Sequence, residues 1–263
     1  MWFHSLIASV LYVAKRTKPE CLVTVSALAT KVHSCDSDDV DKAIRLVKYI
    51  RGTKDSGIVL RPGVTGIRVH LYVDASYGVH ADRRSHTGSC VVIGDVGAVH
   101  CKSTRQQIVT KSSTEAELVG LSDSANQGLF LRNFLILQGY KMPAVTVFQD
   151  NMSCMALIAR GRSGGERTRH ISIRYFWVKD RVMRGEAVIV HKGTSEMYAN
   201  VLTKPLQGKQ FRYERACLTG WPVEVGHTGW PVEAGTNVAE VKRVIFDMRG
   251  TKPTTGKRVS ESK

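Results

Sequence analysis

Three acidic positions in this chain have the types and spacing to do chemistry together. Asp74 lies near the end of the stretch Ile-Arg-Val-His-Leu-Tyr-Val-Asp-Ala-Ser, from Ile67 to Ser76. A glutamate, Glu115 or Glu117, falls early in a long apolar-periodic segment, and Asp150 follows directly on the apolar run Val145 to Phe148. An aspartate at a strand end is often only a turn former. Three carboxylates gathered at one sheet edge are different: they make a site for divalent cations. Magnesium takes hard oxygen ligands and keeps several waters, so a few carboxylates on rigid elements suffice. No Ser/His or Cys/His pair is spaced as a nucleophilic site.

The elements that must position these acids can be read from periodicity. Ile67, Val69, Leu71 and Val73 alternate with Arg68, His70, Tyr72 and Asp74, which predicts a β-strand ending where its acid sits. Thr87 to Ile93 and Ala98 to Lys102 are two further strands, joined as a hairpin at Gly94-Asp95. Ser112-Ser113-Thr114-Glu115 fits a capping box, with Ser112 as N-cap and Glu115 reaching back, and opens a helix to Gly139. Then come the strand before Asp150, a short helix Ser153 to Ala159 and a Gly- and Arg-rich loop from Arg160 to Arg169. A helix His170 to Arg184, a strand Ala187 to His191 and a final helix Ser195 to Thr203 follow. This order predicts an α/β layer sandwich around a mixed sheet.

The flanks differ. Residues 1–61 read as a helical segment, with helices Ser5 to Lys15, Glu20 to Val32 and Asp38 to Arg51. The third places Val40, Ala43, Ile44, Val47 and Ile50 on one stripe, opens with acids and closes on Gly52. A short strand Ile58 to Leu60 precedes a break and domain boundary at Pro62-Gly63. The sheet-bearing domain spans 66–207. Residues 208–263 are expected to form a largely disordered tail, in which Thr219-Gly-Trp-Pro-Val-Glu recurs at Thr228. Two copies are too few for a solenoid.

Bulk composition narrows the function. Hydrophobic content of 43% and charged content of 23% exclude a wholly disordered chain. Lys and Arg number 38 against 23 Asp and Glu, and a net charge of +15 implies a polyanionic partner, nucleic acid first. The six cysteines form no Cys-x-x-Cys pair, which argues against a zinc module or disulfide scaffold and for a reducing, intracellular setting. Leu6 to Ala14 is too short to span a bilayer and has no basic residue before it, so neither secretion nor a membrane partner is expected.

Five motifs in this order and spacing resemble the reverse transcriptase and ribonuclease H portion of copia-type retrotransposon polyproteins. They are Asp82-Arg83-Arg84-Ser85 with Thr87-Gly88, Ser112-Ser113-Thr114-Glu115-Ala116-Glu117, and Gln149-Asp150-Asn151. Arg167-Thr168-Arg169-His170-Ile171 with Ile173-Arg174-Tyr175, and Leu202-Thr203-Lys204-Pro205-Leu206, complete the set. The similarity runs from about His4 to Phe211, and residues 1–61 resemble the thumb end of the polymerase. The resemblance implies a ribonuclease H-like mixed five-stranded sheet with flanking helices. The implied activity is hydrolysis of the RNA strand of RNA–DNA hybrids with two Mg2+ ions, Mn2+ being a possible substitute. Two ions about 3.5–4 Å apart activate a water and stabilise the leaving oxygen.

Carried over residue by residue, the resemblance makes Asp74, Glu117 and Asp150 the metal-binding and catalytic acids, leaving Glu115 to capping. The family's fourth acid falls at Asn200, here an amide in Ala199-Asn200. Arg83, Arg84, Lys111, Arg167, Arg169 and His170 are the expected contacts to the hybrid; phosphate contacts position a duplex without reading its sequence. Other parts of a polyprotein are expected partners. A second reading, from a binding class, is a truncated and catalytically impaired retroelement fragment that folds and holds nucleic acid without cutting it. From the sequence, an amide in place of the fourth acid is expected to leave the fold intact while weakening the second ion and slowing turnover. Asn200→Asp is then expected to raise cleavage about tenfold or more, roughly 1.4 kcal/mol off the barrier, or to lower the Mg2+ concentration needed.

Overall fold

The alternating stretch around Asp74 forms β1 (Val69–Ser76) in the computed structural model, which describes residues 2–61, 66–160 and 172–221. β2 (His86–Ile93) and β3 (Ala98–Arg105) follow as an antiparallel meander. β4 (Val145–Gln149) and β5 (Ala187–His191) lie parallel to β1 and to each other. The sheet order is β3-β2-β1-β4-β5, the mixed five-stranded sheet expected of a ribonuclease H-like fold. The parallel pairings require crossovers. Between β1 and β4 the chain returns through α4 (Ser113–Leu137); between β4 and β5 it passes α5 (Met152–Arg160) and α6 (Ser172–Met183).

Helix α4 starts where its cap predicts: the Ser112 side chain accepts the Glu115 N–H at 3.2 Å, and Glu115 Oε2 accepts the Lys111 N–H at 2.8 Å. Its residues Leu118, Leu121, Ala125 and Leu129 pack with Val69, Leu71, Val73, Val145 and Val147 in one core cluster. Gly128 lets the helix lie close to the sheet, since a Cβ there would stand 3.0 Å from Val145 Cγ1.

The N-terminal helices are α1 (Trp2–Thr17), α2 (Leu22–Ala29), which follows a 3-10 turn at Pro19–Cys21, and α3 (Ser37–Gly52). In α1, Phe3, Ile7, Val10 and Ala14 form the buried stripe. In α3 the inward stripe is shifted from the expected one. Asp39, Ala43 and Leu46 are buried, while Ile44 and Val47 are exposed. Asp39 closes a capping box with Asp36, and Tyr49 donates to Glu20 Oε1 at 3.0 Å, which fixes that rotation.

Three expectations are corrected by the structure. Ile58 to Leu60 is no strand. The Val59 N–H instead donates to the Thr219 carbonyl at 2.7 Å, and Arg61 forms an isolated bridge with Val96. The start of the expected tail is helical: α7 (Gly208–Thr219) buries Glu214, Ala216, Cys217, Leu218 and Thr219, and it belongs to one compact unit with everything before it, through Trp221. The final helix Ser195 to Thr203 is replaced by 3-10 turns at Thr194–Glu196 and Asn200–Leu202. Between them Met197 takes extended ψ (101°) and its side chain is fully buried, so the helix cannot continue. Pro62-Gly63 and the second Thr-Gly-Trp-Pro-Val-Glu copy lie outside the described residues. Among the described residues no helix is long and apolar enough to cross a membrane.

Candidate metal centre

Asp74 sits in β1 opposite Gly88 of β2, and it is only 2% exposed. Glu117 reaches the same point from the first turns of α4. Its Oε1 accepts the Ala75 N–H and its Oε2 accepts Gln149 Nε2, each at 3.2 Å. Gln149 is fully buried at the end of β4, and its Oε1 accepts the N–H groups of Asp150 (2.8 Å) and Asn151 (3.0 Å). One amide side chain therefore orients Glu117 and fixes the backbone that carries Asp150. Asn151 Oδ1 accepts the Cys154 N–H at 2.9 Å and so caps α5.

Each acid offers one oxygen, and these oxygens lie within 4.8 Å of one another. Burial pushes the Glu117 carboxyl up to about 8, with Asp74 and then Asp150 adding to the rise. Three clustered carboxylates, two of them buried, that repel one another are relieved by a divalent cation, and the donor set is all hard oxygen, as magnesium or manganese requires. The residues present fit such an ion.

Asn200 stands at the edge of this centre in an orientation set by its neighbours. Its Nδ2 donates to the Thr194 carbonyl (2.6 Å) and to Glu214 Oε1 (3.3 Å), while its Oδ1 accepts Lys204 Nζ at 3.0 Å. Lys204 Nζ also lies 3.3 Å from Asp74 Oδ2, and the Thr203 hydroxyl donates to that same oxygen. Thr194 Oγ1 donates to Asp150 Oδ2 at 2.9 Å. An aspartate at 200 would face two acceptors where the amide has a donor, so restoring the acid there disturbs these hydrogen bonds. Gly88 lies under this segment: a Cβ there would stand 2.6 Å from Thr203 Cγ2 and 2.8 Å from the Ala199 carbonyl.

No protein-family model matches the chain. Among curated proteins, the Pol polyprotein of transposon RE2 from Arabidopsis thaliana is 28% identical over 212 residues, covering 80% of this chain. That of transposon TNT 1-94 from Nicotiana tabacum is 24% identical over 209 residues, again 80% of this chain. The homologues of this chain are Pol polyproteins of copia-type retrotransposons. The chain spans only 14% and 16% of the length of these two copia-type relatives. Among solved structures, LC11-RNase H1, isolated from compost, aligns at 15% identity with a TM-score of 0.41, covering 51% of this chain and 91% of that one.

The basic residues singled out by the copia-type motifs divide into two groups. Arg83 is exposed in the turn between β1 and β2 and adopts a left-handed backbone (φ 60°). Arg84 is paired with Asp82 at 3.4 Å, and Arg105 shares that carboxylate at 3.0 Å, so part of their charge is already matched. Lys111 is exposed just before α4. Arg167, Arg169 and His170 lie outside the described residues. Sequence reasoning did not single out Gln149, Thr194, Lys204 or Glu214 as site residues. Gln149 and Lys204 stood inside quoted motifs; nothing in the sequence pointed to Glu214.

Proposed function

We propose that this chain is a metal-dependent endonuclease that hydrolyses the RNA strand of RNA–DNA hybrids, acting within retrotransposon reverse transcription. The observation that carries the reading is the convergence of Asp74, Glu117 and Asp150 from β1, α4 and the end of β4. These acids are the metal ligands. Bound Mg2+, or Mn2+ in its place, supplies the Lewis acidity that makes a water nucleophilic and stabilises the departing oxygen.

The chain's own groups do the positioning. Ala75 N–H and Gln149 Nε2 aim the Glu117 carboxylate, Thr203 and Lys204 hold Asp74, and Thr194 holds Asp150. Arg83, Arg84, Lys111, Arg167, Arg169 and His170 contact the hybrid, and 2′-hydroxyl contacts across the minor groove select the RNA strand. Residues 1–61 serve as a thumb-like flank to the nuclease domain.

The orientation of Asn200 supports the second reading, a domain that binds hybrids with impaired cutting, because its oxygen meets an ammonium and adds no charge. A labelled RNA–DNA hybrid incubated with the full chain, in Mg2+ and in chelator, tests both. Mg2+-dependent cleavage lost in Asp74→Asn and Glu117→Gln, with hybrid affinity retained, supports the nuclease. Binding without cleavage at any Mg2+ concentration supports the impaired form, and cleavage that survives both substitutions refutes the assigned acids.

A further inference from the structure

The buried acids already hold a cation of the chain's own. Lys204 Nζ lies 3.3 Å from Asp74 Oδ2, 3.4 Å from Asp74 Oδ1 and 3.0 Å from Asn200 Oδ1. Asp74 is buried and the Lys204 side chain is 41% exposed, so the ammonium reaches in from the surface to a carboxylate that solvent hardly touches. Its second anchor is hydrogen-bonded in its own right. The Asn200 amide is pinned by Thr194 and Glu214, and Glu214 is held in turn by the Val201 N–H (2.7 Å) and Gln210 Nε2 (2.8 Å).

Charge then limits what the centre can bind. With a divalent ion bound the three acids are carboxylates, and with one ammonium they leave two net negative charges, which that single ion cancels. A second divalent ion beside Asp74 would have to expel the ammonium and would gain only a neutral amide oxygen in its place. Amide oxygens are ligands without charge, so expelling the ammonium would add a divalent charge with no further anionic ligand to balance it.

We infer that Lys204 is a resident cation of this centre, seated between Asp74 and Asn200, and that the chain therefore takes up one divalent ion, not the two that its sequence suggested. The inference rests on the proposed reading of Asp74, Glu117 and Asp150 as metal ligands. Lys204 is a positioning residue in this scheme: it acts on the substrate only through Asp74 and the ion count.

Mn2+ is the probe, counted by the loss of its free-ion electron paramagnetic resonance signal on titration with the full chain, so that no cleavage assay enters. The unaltered chain binds one ion, and Lys204→Arg keeps that count. Lys204→Met, which keeps the stem and removes the charge, binds its first ion about tenfold more tightly, a modest fraction of the Coulomb energy of a unit charge a few ångström away, and then takes up a second. Two ions on the unaltered chain overturn the inference, and that result stands even where Lys204→Met fails to fold. Equal affinity and one ion in both proteins overturn the role given to Lys204. No bound Mn2+, or a count unchanged by Asp74→Asn, refutes the metal-centre reading itself and the inference with it.

Discussion

Replacing Asn200 by aspartate restores the acid that the copia-type motif would carry, yet the structure predicts that the single change destabilises the protein. The amide Nδ2 is the donor in two hydrogen bonds, to the Thr194 carbonyl at 2.6 Å and to Glu214 Oε1 at 3.3 Å. A carboxylate oxygen in its place is an acceptor facing acceptors. Glu214 keeps Gln210 and the Val201 N–H, and the exposed Thr194 can turn to water, so the larger loss falls on the buried side chain at position 200. A buried polar group without a partner costs about 1–3 kcal/mol. Repulsion from Glu214 adds to this, its carboxyl being already pushed up to about 7, chiefly by burial. Together these put the loss at about 2–4 kcal/mol, a large share of a domain's usual margin of about 5–15 kcal/mol.

The assay is urea unfolding of four proteins: unaltered, Asn200→Asp, Glu214→Gln and the double variant. In the double variant the glutamine amide can donate to the new carboxylate. At least half of the lost stability should return, giving a coupling energy of about 1 kcal/mol or more. Any gain in hybrid cleavage, about tenfold or more for roughly 1.4 kcal/mol off the barrier, should appear in the double variant and not in Asn200→Asp alone. An Asn200→Asp protein as stable as the parent would refute the clash of acceptors. Additive single effects would refute the coupling to Glu214.

Three further outcomes follow from the same geometry. Gly88→Ala forces a Cβ to within 2.6 Å of Thr203 Cγ2 and 2.8 Å of Leu202 Cβ, so it should cost about 1–3 kcal/mol in urea unfolding. It should also raise the Mg2+ concentration needed for cleavage, because Thr203 holds Asp74. Without divalent cation, stability should fall as pH rises from about 7 to 8.5. Glu117 and Glu214, raised to about 8 and about 7, keep protons in the fold that the unfolded chain has lost, so the folded state binds more protons across this window. His86, lowered to about 4 by burial and by His80, and His70, His80 and His100, lowered chiefly by burial, act in the opposite direction below about pH 7, where their unfolded forms still bind protons, so the fall is read above that pH. Saturating Mg2+ should flatten the Glu117 part, and an upward slope in chelator would contradict the assignment. Hybrid affinity should fall with salt at a log–log slope of about −0.7 to −0.9 per phosphate contact, and a flat titration by fluorescence anisotropy would rule out electrostatic binding.

Much of the frame was legible because it follows from local pattern. The alternation ending at Asp74 marks a strand buried on both faces in its second half, and Ala187 to His191 matches β5 at both ends. Ser112 announces α4 through its own side chain. The choice of Glu117 over Glu115 needed the resemblance, since both are early in α4 and both are buried. The misread parts depend on contacts between distant residues. In α3, Leu46 is inside and Val47 outside because Asp36, Asp39 and Tyr49 set the helix rotation. The stretch at Val59 has a strand's composition but spends its N–H on Thr219, 160 positions later. A helix was expected at Ser195 to Thr203 because no local signal shows that Met197 must enter the core.

The acids themselves show why residue type alone was insufficient at Asn200. Read in isolation, an amide in place of a carboxylate is a lost ligand, and the remedy is to restore the charge. In the folded chain the amide is matched at both ends: its nitrogen faces the Glu214 carboxylate and the Thr194 carbonyl, and its oxygen faces Lys204. An aspartate would satisfy the Lys204 end better and the other end worse. The net effect depends on which neighbour can change, and Glu214 is the one whose substitution reverses an acceptor into a donor. Position 200 is therefore one member of a coupled set with Lys204 and Glu214. Its chemistry can be altered usefully only by altering that set.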